Sequence, residues 1–134
     1  MHLSVEKNSF KLKKTFTISR GSRTCAEVLT VKIKDDDFIG WAECVPYKRY
    51  NESLETVTKK IQSIELPITI DNLQEKLQPG AARNALDCAL WDLKAKIKGI
   101  PVWELLGLEK PKPVTTAYTC LLYTSDAADE GLGV

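Results

Sequence analysis

The stretch that most constrains the fold is Ala81–Lys98. Ala82, Ala85, Leu86, Ala89, Leu93 and Ile97 recur at three- and four-residue spacing, and Leu90 and Trp91 widen the same stripe. That period predicts one long helix with an apolar face. Pro79-Gly80 precedes it, and Gly99 with Pro101 stops it, as a glycine just past a helix end does. The small residues on the stripe predict close packing against a neighbour. Asp87 and Asp92 lie five residues apart and diverge around the helix, so they do not form a paired acid site.

The sequence upstream has the other period. Val28-Leu29-Thr30-Val31-Lys32-Ile33 alternates and is rich in β-branched residues. Phe38-Ile39-Gly40-Trp41-Ala42-Glu43 follows after Lys34-Asp35-Asp36-Asp37. Two strands around a short acidic run predict a hairpin, and the aspartates read as a turn rather than a metal site. An earlier strand, about Leu3 to Phe16, pairs alongside. The middle turns helical. Ser53 is placed to cap a helix through Leu54, Val57 and Ile61. Asp71 opens a second short helix, Asn72 to Leu77, and Val102 to Leu106 gives a last turn or two. The fold class is therefore α+β, a three-stranded antiparallel sheet followed by a helical bundle. After Pro111-Lys112-Pro113, Val114 to Thr119 reads as a new strand outside that sheet.

The chain has 134 residues and a net charge of +1. Nothing in that charge points to nucleic acid or a membrane surface, and no apolar run approaches the ~20 residues of a span. Cys25, Cys44, Cys88 and Cys120 form no Cys-x-x-Cys pair, and His2 is the single histidine, which argues against zinc. Two of the cysteines sit in apolar patterns that suit reduced thiols, so the expected location is the cytoplasm.

Three segments carry a resemblance: Phe16-Thr17-Ile18-Ser19-Arg20-Gly21-Ser22-Arg23-Thr24, the run Gly40 to Ser53 with Pro46-Tyr47-Lys48-Arg49-Tyr50-Asn51-Glu52, and Pro79 to Leu93. In that order they resemble the N-terminal capping domain of the muconate-lactonizing branch of the enolase superfamily. Within it they are most similar to L-Ala-D/L-Glu (dipeptide) epimerases. The resemblance covers Leu3 to Thr119. It implies a cap on a (β/α) barrel whose two loops help choose a small dipeptide substrate. It also implies a magnesium ion held by three acids in the barrel, and two lysines that move the α-proton through an enediolate. The whole protein would then be an isomerase of peptidoglycan peptide metabolism. The alternatives are a cycloisomerase or o-succinylbenzoate synthase of the same branch, or a non-catalytic binding module. A homo-oligomer stays open.

Carried over by residue, the resemblance makes Arg20 and Arg23 carboxylate partners in the first loop, and Tyr47 and Tyr50, with Arg49 beside them, the pocket wall in the second. Thr119 becomes a substrate contact at the C-terminal end of the first barrel strand, where barrel enzymes place function. A barrel takes about 250 residues, and the lysines and metal acids would follow Thr119. Cys120 to Glu130 resembles translated transposon-end sequencing adapter. The expected organisation is a cap at 1–110, the barrel start at 111–119 and a non-native tail at 120–134. The segment itself is expected to lack catalytic lysines, bound metal and activity.

Overall fold

A computed structural model describes residues 1–18 and 21–116. Three strands and four α-helices are present among them: β1 (His2–Ile18), β2 (Gly21–Asp35), β3 (Phe38–Cys44), α1 (Leu54–Gln62), α2 (Ile70–Lys76), α3 (Ala81–Lys98) and α4 (Val102–Leu105). The strands form one sheet in the order β1-β2-β3. β2 and β3 run antiparallel, from Leu29 opposite Cys44 to Asp35 opposite Phe38. The acidic run is the turn it was expected to be. Asp36 takes the left-handed conformation at φ 49°, which Asp adopts more readily than most residues because its short side chain bonds locally.

The chain divides into two compact units, residues 1–9 with 27–111, and a second that includes residues 10–18, 21–26 and 112–116. In the first unit, strand alternation puts Leu29, Val31 and Ile33 of β2 into the core. Val57 and Ile61 of α1, Ile68, and Leu73 of α2 meet them there, with Ala82, Ala85, Leu86, Ala89, Leu90 and Leu93 of α3. Helix α3 lies against β3, and α1, α2 and α4 pack on α3. The contact with β3 is close because both surfaces are small. A Cβ built on Gly40 would lie 2.0 Å from the Ala89 carbonyl oxygen.

The outer edge of β3 faces no further strand among the described residues, and α3 side chains meet two of its backbone groups. The Trp41 amide donates to Asp92 Oδ2 at 2.8 Å, and Lys96 Nζ donates to the Ile39 carbonyl at 2.8 Å and to Asp92 Oδ2 at 2.6 Å. An open strand edge invites pairing with another chain, and these side chains occupy it. On the sheet's outer face, Lys32 sits 3.1 Å from both Glu6 carboxylate oxygens and 4.5 Å from the Trp41 ring centroid. One row along, Asn8 donates to Thr30, and Thr30 to Glu43.

Helices α1 and α2 open on capping boxes. The Ser53 and Thr69 hydroxyls accept from Thr56 and Asn72 amides, and those side chains accept back from the cap amides. The second helix therefore starts at Ile70 behind Thr69, not at Asp71–Asn72 as its acidic residue suggested. Helix α3 has the expected bounds, but Ile97 is 46% exposed, because the stripe outruns the layer it packs on.

In the second unit, the Thr17 hydroxyl of β1 and the Ser22 hydroxyl of β2 lie 2.8 Å apart. Residues 113–116 have no regular structure and Val114 is 88% exposed. The strand expected from Val114 is thus not formed in its described part: a strand needs a hydrogen-bonded neighbour, and none is present among the described residues. Its remainder, Ala117 to Thr119, lies outside them.

Candidate functional site

A cavity of about 640 Å³ opens in the first unit where the segment after β3 meets the start of α3. Tyr47, Tyr50, Glu43, Glu52, Lys60 and Asn84 supply its wall and its polar groups. The segment that forms the rim is a closed turn. A single 3-10 turn spans Lys48–Tyr50, and Asn51 reverses the chain in the left-handed region at φ 57°. The Tyr47 carbonyl accepts two amides, from Tyr50 at 2.9 Å and Glu52 at 3.3 Å. The two tyrosine rings stand 6.5 Å apart at 56°, an edge-inclined arrangement that aromatic pairs prefer. Both rings are exposed, Tyr50 at 71%.

The Glu52 side chain ties the turn to α3. Glu52 is buried, and its Oε1 accepts the Ala81 amide at 2.8 Å. Gly80, just before the helix, has no side chain to offer as a cap. Its φ of +154° is a glycine conformation, and a Cβ there would sit 2.6 Å from Glu52 Oε1. Cys44 lies on the same wall. Burial, and then the nearby charge of Glu52, push its thiol up to about 11, so it is neutral and unreactive at ordinary pH.

The expected site residues fall as follows. Tyr47 and Tyr50 come together on the cavity rim, and Arg49 is exposed between them. Arg23 is exposed and belongs to strand β2 in the second unit, not to a loop: the sequence read as a first loop is largely hairpin, with β1 reaching Ile18 and β2 starting at Gly21. Arg20 and Thr119 lie outside the described residues. Glu52 and Gly80 belong to the quoted segments, but the sequence offered no sign of their mutual contact. A buried glutamate and a helix opened by a capless Pro-Gly could have been matched only by knowing which ends meet.

Among the described residues, no three His, Cys, Asp or Glu side chains converge as metal ligands. No helix among them is long and apolar enough to cross a membrane.

A small antiparallel sheet backed by a helical layer, with an aromatic rim beside the start of the longest helix, makes this an α+β domain. Residues 2–107 match the mandelate racemase/muconate lactonizing enzyme N-terminal domain, and the chain belongs to that family of the enolase superfamily. L-Ala-D/L-Glu epimerase from Escherichia coli K12 is 41% identical over 128 residues, covering 92% of this chain and 40% of the relative. N-acetyl-D-glutamate racemase from a Pseudoalteromonas species is 41% identical over 111 residues, 78% of this chain and 35% of the relative. Among solved structures, an enolase family member from Agrobacterium tumefaciens with homology to dipeptide epimerases has bound sodium, L-Ala-L-Glu and an ordered loop. It is 46% identical with a TM-score of 0.80, covering 87% of this chain and 37% of that one. Other neighbours of this fold are dipeptide epimerases complexed with Mg and a dipeptide. The relatives are thus epimerases and racemases, that is, isomerases, and the chain spans about 40% of their length or less.

Proposed function

We propose that this chain is the substrate-selecting cap of a magnesium-dependent dipeptide epimerase that interconverts L-Ala-L-Glu and L-Ala-D-Glu by 1,1-proton transfer. The observation that carries this is the rim formed by Tyr47 and Tyr50 beside the cavity, in a domain 41% identical to an L-Ala-D/L-Glu epimerase. Exposed aromatic rings at a cavity mouth supply rigid apolar contact together with a hydroxyl. That suits covering a small peptide.

The α-proton beside a carboxylate is weakly acidic, so its removal needs a cation at the developing enediolate and a base on each face. Magnesium would supply the charge, held by residues outside this segment. Arg23 and Arg20 are proposed as partners of a substrate carboxylate, and Thr119 as a substrate contact. The domain order proposed is a cap at 1–110, the start of a barrel at 111–119, and a tail at 120–134 foreign to the protein. The family match ending at residue 107 supports the first boundary.

A second reading keeps the reaction and changes the acyl group. The racemase relative acts, by its name, on N-acetyl-D-glutamate, which shares an N-acylated glutamate with the dipeptide. The test uses the full-length gene. The purified enzyme with magnesium, incubated with L-Ala-L-Glu in D2O, should lose the glutamate α-proton signal faster than it does with N-acetyl-L-glutamate. The reverse order supports the second reading, and no exchange with either overturns both.

A further inference from the structure

We propose that Glu52 is the positioning residue of the cavity rim: its buried carboxylate caps α3 from outside the helix and so fixes the turn that carries Tyr47 and Tyr50. The proposal rests on the preceding functional reading only for what the rim covers.

A helix leaves its first four amides without internal partners, and its N-terminal end carries partial positive charge. The two shorter helices α1 and α2 meet this need with their own Ser53 and Thr69. Helix α3, the longest, starts on a glycine and has no acidic residue in its first turn. Its cap comes from 29 residues upstream, through Glu52 Oε1 on the Ala81 amide. A carboxylate taken out of water needs such a partner. The same residue's backbone amide closes the rim turn onto the Tyr47 carbonyl, which also holds the Tyr50 amide. Glu52 is therefore bonded at both ends, to the turn by its amide and to α3 by its carboxylate. Immediately after it, Ser53 begins α1. The turn lies between two helix starts, and the Glu52 side chain cross-links it to α3. Gly80 is the matching part. Its missing Cβ leaves the space that Oε1 occupies.

Amide hydrogen exchange on the 134-residue chain reads this directly. In Glu52→Ala, the amides of Tyr50, Asn51, Glu52 and Ala81 should exchange about tenfold faster, as expected for loss of one cap. Those of Val31, Ile33 and Leu86 should stay within about twofold. Glu52→Gln keeps an oxygen acceptor and should restore most of the protection, and it also serves if the alanine variant fails to fold. Unchanged exchange at the rim in Glu52→Ala overturns the proposal. A uniform rise across rim and core in either variant also overturns it, because that is the signature of a residue holding only the core. In the full-length enzyme, Glu52→Ala should raise KM for L-Ala-L-Glu more than Glu52→Gln does. Local loosening with no change in KM would leave Glu52's role standing and sink the reading of the rim as a substrate cover.

Discussion

Replacing Gly40 by alanine should unfold more of this domain than any other single methyl added to it. The added carbon would lie 2.0 Å from the Ala89 carbonyl oxygen, 2.7 Å from Leu93 Cβ and 2.9 Å from the Leu93 amide nitrogen. Two of the three are backbone atoms of α3, so no rotamer change relieves the clash. The helix has to move off β3 by about 1.4 Å to restore ordinary carbon–oxygen contact. That displacement stretches the Trp41–Asp92 and Lys96–Ile39 bonds, both 2.8 Å. Overpacking costs about 1–3 kcal/mol, and each lengthened bond forfeits about 1 kcal/mol. The smaller entropy of the unfolded alanine chain returns about 0.4–1 kcal/mol. The balance is a loss of roughly 3 kcal/mol, seen as a fall of about 10 °C or more in Tm, or as a lower urea midpoint at constant slope. Gly99→Ala is the control. Its φ of +69° is strained for alanine but its surroundings are open, so it should lose only about 1 kcal/mol. A Gly40→Ala protein within 1 kcal/mol of wild type would refute the close approach of α3 to β3.

Four further outcomes follow from the same geometry. Cys44 should resist a thiol reagent under native conditions at pH 8 while the exposed Cys88 reacts, as read by peptide mapping. Its folded pKa is raised from 9.0 to about 11, so the fold binds this proton more tightly than the unfolded chain does. The stability it contributes is complete below pH 9 and lost between pH 9 and 11, a decline that Cys44→Ala should not show in urea titrations. Asp92→Ala should cost about 1–2 kcal/mol, and Asp92→Ala with Lys96→Ala less than the sum of the two, because both serve the same strand edge. Ser53→Ala should cost about 1 kcal/mol by chemical denaturation, through loss of the α1 capping box.

Much of this architecture is legible in the residues, for reasons that differ by element. Helix α3 announces both ends because Gly80 and Gly99 break the helix on either side of a regular stripe. The β2–β3 hairpin shows because alternation and an aspartate turn coincide. Local patterns say less where a competing local rule exists. Asp71 looked like a helix start, but Thr69 with Asn72 three residues on makes the stronger box. The resemblance put Arg23 in a first loop, yet strand β2 already starts at Gly21 and includes it. Long-range fits left almost no trace. Gly40 reads as an ordinary strand glycine until α3 is laid across it, and Glu52 reads as a surface acid until its carboxylate meets Ala81. The cavity is composed of such meetings, so its tyrosines could be picked out and the glutamate that holds them could not.

The turn carrying Tyr47 and Tyr50 is proposed to cover a glutamate-containing dipeptide. A crystal structure of the full-length protein with magnesium and L-Ala-L-Glu tests this. At least one of the two rings should lie within about 4 Å of the dipeptide, with Glu52 still on the Ala81 amide. A bound dipeptide touched by neither ring, with the turn facing solvent, would contradict it.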